Sequence, residues 1–87
     1  MEKQISGMKQ TTEERLQKLL NSVFPSRGAY FKDTDSPSEI SGWDSLNHLN
    51  LVMAINNEFC VNLGFEEMLE IKRVGDIKVI LKRHKVD

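Results

Sequence analysis

Apolar residues recur at helical spacing near the start of the chain. From Leu16 to Phe24 they occupy positions i, i+3, i+4, i+7 and i+8, which places them on one face of an amphipathic helix. Thr11 and Glu14 have the spacing of a capping box, and Pro25 interrupts the pattern. The sequence therefore predicts a helix from Thr11 to Phe24.

The next stretch, from Pro25 to Trp43, has no period. Glycines, prolines and serines break it repeatedly, and Tyr30, Phe31 and Ile40 are isolated apolar residues within it. A connection this long is uncommon in a compact domain and tends to be functional when it is ordered. We predict a long loop that these three apolar residues attach to the core.

The second half of the chain predicts three more helices. They run from Ser45 to Phe59, with Asp44 as N-cap, from Phe65 to Ile71, and from Val74 to His84. No segment alternates long enough to predict a strand. The predicted fold is all-α: a small four-helix bundle of three main helices and one short helix, with the long loop between helices 1 and 2. We assign residues 11–85 to this domain and residues 1–10 to a flexible N-terminal leader.

Composition excludes several classes of function. The 87 residues carry a formal net charge of −1, whereas nucleic-acid binding depends on a surplus of Lys and Arg. The single cysteine, Cys60, excludes an intramolecular disulfide framework. No apolar run reaches the roughly 18 residues of a membrane span, and no secretory signal opens the chain. We therefore expect a cytoplasmic protein that does not bind nucleic acid and does not span a membrane. Because its core is sufficient for one copy, we also expect a monomer.

The helix predicted from Ser45 to Phe59 has two apolar stripes. The stripe expected to face the core consists of Leu51, Val52, Ile55 and Phe59. The other consists of Leu46, Leu49 and Met53 and lies roughly 90° or more around the helix. One core needs only one stripe, so the second is either covered by the long loop or left exposed. We favour an exposed docking surface, because methionine adapts to binding partners.

Ser45 stands where the loop meets the helix N-terminus. Its hydroxyl is expected at the surface, next to free backbone N–H groups and the positive end of the helix dipole. This position suits a phosphate group on the serine oxygen. On spacing alone, the simpler interpretation is a serine with no role beyond the first helical turn.

Catalysis and metal binding fit the sequence poorly. Asp44, Ser45 and His48 provide the residue types of a hydrolase triad. In a triad, however, Asp44 would have to orient His48 and not merely adjoin the serine, and a G-x-S-x-G elbow is absent. A calcium loop running from Asp33 through Asp35 to Asp44 would have Ser38 where the turn needs glycine and Asp44 where the last position needs Glu. We predict neither an enzyme nor a metal site.

The motif Asp44-Ser45-Leu46 at a helix start resembles that of the acyl carrier protein family. The resemblance continues through Leu49, the run Leu51-Val52-Met53-Ala54-Ile55 and Glu58-Phe59. It extends over the preceding helix, the long loop and the two later helices, roughly from Thr11 to Lys85. It therefore covers nearly the whole chain.

The resemblance implies a carrier rather than a catalyst. Ser45 would receive 4′-phosphopantetheine from coenzyme A and carry acyl groups as thioesters on that arm. Asp44 would help a phosphopantetheinyl transferase to recognise the site. Leu46, Leu49 and Met53 would contact partners such as acyl-activating ligases or synthases. Cys60 would then be a packed residue at a helix end, since the working thiol belongs to the arm.

Two features depart from the family. Many family members carry Asp and Glu along the second helix, where this chain has asparagines at positions 47, 50, 56 and 57. We therefore expect a specialised carrier for a dedicated biosynthetic pathway, with weaker electrostatic steering of partners. Arg73 replaces the usual Thr or Ser cap before Val74. An aminoacyl or peptidyl carrier, and a helical interaction module that merely contains Asp-Ser-Leu, remain alternatives.

Overall fold

The computed structural model describes residues 11–24 and 30–86, and these ranges contain four helices and no strand. The helices are α1 (Thr12–Val23), α2 (Ser45–Phe59), α3 (Phe65–Glu70) and α4 (Val74–Arg83). The predicted all-α class, with three main helices and one short one, is confirmed. The proposed leader and the helix-stopping proline lie outside the described residues.

The predicted helix boundaries agree with the structure to within one residue at each end, and the differences are cap residues. Thr11 is the N-cap of α1, where its hydroxyl accepts from the backbone N–H of Glu14 at 3.1 Å. The Glu14 carboxylate accepts in return from the N–H of Thr11 at 3.0 Å, which completes the capping box. Asp44 caps α2 by accepting from the N–H of Asn47 at 2.9 Å. Local sequence signals therefore set where these helices begin.

One apolar core lies between the three long helices and the loop. The fully buried side chains are Leu16, Leu20, Phe24, Leu51, Ile55, Val74, Ile77, Ile80 and Leu81. Burial of each such side chain stabilises the fold by about 1.5–3 kcal/mol. The loop contributes Phe31, Ile40 and Trp43, all of which are buried. The core stripe predicted on α2 is buried as expected.

Tyr30 does not pack into the core as predicted. Its side chain is 64% exposed, and its hydroxyl donates to the Glu13 carboxylate at 2.8 Å. A tyrosine side chain has an apolar ring and a polar hydroxyl, so it can join an ion network at the surface instead of packing into the core. The attachment of the loop at this point is polar.

The loop between α1 and α2 is held from both sides. On α1, the Gln17 amide donates to the Phe31 carbonyl at 2.8 Å and accepts from the Phe31 N–H at 2.9 Å. On α4, Lys78 pairs with Glu13 and, at 2.7 Å, with Asp33. Lys78 thereby connects α1, the loop and α4.

The start of α4 is capped by the loop rather than by its own N-cap residue. Arg73 makes no side-chain cap. Instead, the N–H groups of Val74 and Gly75 donate to the carbonyls of Asp35 and Asp33 at 3.0 and 2.9 Å. A side chain at Gly75 would bring a Cβ within 3.2 Å of the Asp33 carbonyl oxygen, so glycine permits this close approach. The missing Ser or Thr cap is thus compensated from the loop.

Cys60 lies at a helix end as predicted, but the prediction that its side chain is packed is wrong. It is the C-cap of α2, with a left-handed backbone conformation at φ 54°, and its side chain is exposed. The left-handed conformation ends α2, and it leaves the thiol outside the core.

Among the described residues, no helix has the length and apolar content needed to cross a membrane.

Candidate functional site

Ser45 is the first residue of α2, and its side chain is exposed. Asp44, immediately before it, is also exposed and uses one carboxylate oxygen to cap the helix. The hydroxyl of Ser45 therefore lies at the positive end of α2 and in contact with solvent. This is the location that the sequence predicted, and it can accept an anionic substituent.

The segment before Ser45 is held by a tight turn and a buried ring. Gly42 has φ 88°, a conformation that favours glycine, and its carbonyl accepts from the Asn47 side-chain amide at 2.7 Å. Trp43 is 6% exposed, with its ring centroid 5.4 Å from that of Phe24. The chain that presents Ser45 is therefore anchored to both the core and the first turn of α2.

An open cleft of about 560 Å³ begins beside Ser45. The loop, α2 and α3 each supply one wall, represented by Trp43, Leu49 and Leu69 respectively. Apolar side chains predominate, and Asp44 is the charged residue among those that line it. The volume falls within the range of small-molecule sites, about 300–1,000 Å³.

His48 links all three walls of the cleft. Its side chain is half-buried. The Trp43 indole N–H donates to its Nδ1 at 2.9 Å, and its Nε2 lies 2.9 Å from the Met68 carbonyl oxygen. Both ring nitrogens are thus engaged, and the Asp44 carboxylate bonds to Asn47 rather than to His48. These residues do not form a catalytic triad.

The second apolar stripe of α2 is exposed. Leu46, Leu49 and Met53 are 68%, 47% and 60% exposed. On α3, Phe65 and Leu69 are also exposed, at 70% and 56%. Sequence reasoning missed these two, although their i, i+4 spacing in an otherwise acidic helix was a usable signal. We call these five residues the apolar strip.

Few charges accompany the apolar strip on α2. The acidic residue of this helix is Glu58, near its C-terminal end. Its carboxylate is 2.9 Å from the Arg15 guanidinium of α1, and that guanidinium lies over the Phe59 ring at 4.6 Å. The one acidic side chain of α2 is therefore already neutralised by an intramolecular partner.

The carboxylates considered for a calcium loop have other partners. Asp33 pairs with Lys78, Asp35 accepts from the Lys32 N–H at 2.8 Å, and Asp44 caps α2. Over residues 11–24 and 30–86, the structure contains no group of three or more His, Cys, Asp or Glu side chains that could hold a metal ion.

Fold and site together point to a helical carrier domain, and comparisons with known proteins identify the family. No family model matches the chain. The acyl carrier protein of Rickettsia bellii (strain RML369-C) is 31% identical over 72 residues, which cover 79% of this chain and 84% of that protein. The acyl carrier protein of Rickettsia bellii (strain OSU 85-389) is 40% identical over 48 residues, covering 55% and 59% respectively. The chain belongs to the acyl carrier protein family.

Family membership agrees with the resemblance seen in the sequence. Acyl carrier proteins are carriers, not enzymes, so the prediction that this chain is not an enzyme is confirmed.

Proposed function

We propose that this protein carries acyl groups as thioesters on a 4′-phosphopantetheine arm attached to Ser45. The observation that carries the proposal is the exposed hydroxyl at the first residue of α2, at the mouth of the cleft. Attachment through a phosphodiester would place its negative charge at the positive end of the helix dipole, where anions are stabilised.

The residues around Ser45 fit such an arm. The arm supplies the thiol that carries the acyl group, so the exposed thiol of Cys60 is not needed for this role. The chain itself supplies the attachment oxygen, an anchored helix start and an apolar cleft. Leu49, Met68 and Leu69 give this cleft apolar walls, against which an aliphatic chain would bury part of its surface.

Three kinds of partner follow from this function. A phosphopantetheinyl transferase would recognise the Asp44-Ser45-Leu46 segment and install the arm. An acyl-activating ligase or a synthase would contact the apolar strip, which includes Leu46, Leu49 and Met53. We place the carrier in the cytoplasm as a monomer.

The test of the function is covalent modification. Incubation with a phosphopantetheinyl transferase and coenzyme A should raise the intact mass by one arm. Ser45→Ala should abolish the gain, whereas the matched control Ser41→Ala, at an exposed loop serine, should retain it. No gain under conditions that modify a control carrier protein would contradict the proposal.

The apolar walls favour acyl over aminoacyl or peptidyl cargo. Loading of the modified protein by acyl-activating ligases should therefore exceed loading by amino-acid-activating enzymes. The reverse preference would make the aminoacyl carrier the better interpretation.

The scarcity of acidic residues on α2 supports a carrier for a dedicated pathway. Housekeeping fatty-acid enzymes that steer their carriers by charge should turn this protein over more slowly than dedicated enzymes do. Comparable turnover with both sets of enzymes would count against this specialisation.

A further inference from the structure

The ring of His48 occupies a position that the proposed function does not use. It projects from α2, one turn beyond Ser45, and contacts both Trp43 of the loop and the Met68 carbonyl of α3 at 2.9 Å. The three elements that enclose the cleft therefore meet at one side chain. Trp43 and His48 also bracket the Asp44-Ser45 segment between them.

Donor chemistry determines the proton state of this ring. An indole Nε1–H can only donate, so Nδ1 of His48 must accept and carry no proton. A carbonyl oxygen can only accept, so Nε2 must carry the proton and donate to Met68. His48 is thus the neutral Nε2–H tautomer. The imidazolium would set two N–H groups against each other at Trp43, while its bond to Met68 would survive.

We propose that neutral His48 is a positioning residue that fastens the loop wall of the cleft to α2 and α3, and that its protonation breaks the bond to Trp43 and loosens the loop wall there. The loosened segment is the one that presents Ser45. The cleft would then hold the arm and its cargo less firmly at acid pH, a consequence that rests on the proposed function.

Two acidic residues on the elements around this ring have other partners. From the loop, Asp44 borders the same cleft, but one of its oxygens is committed to capping α2. From α3, Glu67 lies against His84 at 2.8 Å, on the side of α4. From α1, the apolar Phe24 packs on Trp43. The response of the loop wall to acid is therefore assigned to His48, with Asp44 as the other titratable group at the cleft.

Nitrogen-15 NMR of the unmodified protein from pH 8 to pH 5 tests the proposal directly. The chain has one tryptophan and two histidines, so each signal can be assigned. His48 should show the Nε2–H tautomer at pH 8. As it protonates, the Trp43 indole resonance should shift on the same curve, and the protection of the indole hydrogen from exchange should fall roughly fivefold, as expected for loss of one hydrogen bond.

Two variants separate this response from a general loss of structure. His48→Gln keeps one acceptor and one donor but does not titrate, so the indole signal should stay protected at both pH values. His84→Gln removes the other histidine and should leave the Trp43 response unchanged. An indole response that persists in His48→Gln, or disappears in His84→Gln, would overturn the proposal.

The wild-type spectrum alone is also decisive. An Nδ1–H tautomer at pH 8, or an indole resonance unmoved while His48 titrates, would refute the proposal even if no variant folded. Because the unmodified chain is used, these failures would leave attachment at Ser45 untouched. Conversely, a failed attachment at Ser45 would not change the tautomer of His48.

Discussion

The Asp44 side chain both caps α2 and carries a negative charge, and a substitution can remove the charge while keeping the cap. Its carboxylate caps α2 through the Asn47 N–H at 2.9 Å, and its negative charge stands beside Ser45 at the surface. Asparagine caps helices about as well as aspartate, whereas alanine does not. The capping role is visible in the structure, and recognition by the transferase is the proposed role.

Substitutions of Asp44 should therefore divide into two effects. Asp44→Ala should lower the free energy of unfolding by about 1 kcal/mol because the cap is lost. Asp44→Asn should leave stability nearly unchanged but slow modification of Ser45 by the transferase. Urea unfolding and a time course of intact mass would measure both. Unchanged modification of Asp44→Asn would show that the transferase does not read the charge.

At the scale of elements, the loop is ordered by polar contacts as well as by buried side chains. Hydrogen bonds from Lys78, Tyr30 and Gln17, together with the charge of Lys78, lower the pKa of Glu13 despite partial desolvation. Burial opposes the charge on Lys78, but its bonds to Asp33 and Glu13 outweigh that effect and raise the pKa of Lys78. The bond to Glu13 likewise raises the pKa of Tyr30.

Removal of the Lys78 charge should weaken the fold at neutral pH and change its acid response. Because the pKa of Glu13 is lower in the folded protein, its contribution is present above its ordinary pKa of 4.5 and is lost as pH falls through the lowered value. Lys78→Gln should cost about 1 kcal/mol at pH 7, since the partners are partly exposed. The difference from wild type should shrink below pH 4.5.

Urea unfolding at pH 7 and at pH 3 measures this difference. Lys82→Gln, at an exposed position on the same helix, is the matched control and should change stability little at either pH. A Lys78→Gln deficit that is equally large at pH 3 would show that packing of the lysine stem, rather than charge, holds the loop.

At the scale of the whole molecule, α2 uses one apolar face for folding and leaves the other at the surface. Leu51 is fully buried, whereas Leu46, five positions earlier, is 68% exposed. Core burial stabilises the fold, so the exposed face is available for partners without a large effect on stability. This division allows fold and docking to be tested separately.

Truncation of Leu51 should affect stability, whereas truncation of Leu46 should affect turnover by partner enzymes. Leu51→Ala should lower stability by about 2–5 kcal/mol, because it leaves a cavity in the core. Leu46→Ala should change stability by less than about 0.5 kcal/mol and should reduce turnover by a partner enzyme severalfold. Thermal unfolding and loading assays would measure the pair. Full turnover with Leu46→Ala would place docking elsewhere.

How far the sequence predicted this protein depends on the range of the interactions involved. Helix positions, the Thr11 and Asp44 caps and the buried stripe of α2 all arise from neighbours within about one turn. Such signals are written in consecutive residues, so they were predictable. The Asp44-Ser45-Leu46 motif is likewise local, and together with its helical context it indicates the family from sequence alone.

Only the tertiary structure decided which distant groups meet. The capping of α4 by loop carbonyls, the exposure of Cys60 and the polar role of Tyr30 depend on where the loop lies. The cleft exists because the loop, α2 and α3 converge, and the neutral tautomer of His48 follows from its contact with Trp43 and Met68 across it. Periodicity assigns a residue to a helix face, but the donor or acceptor opposite that face is set by the packing of the chain.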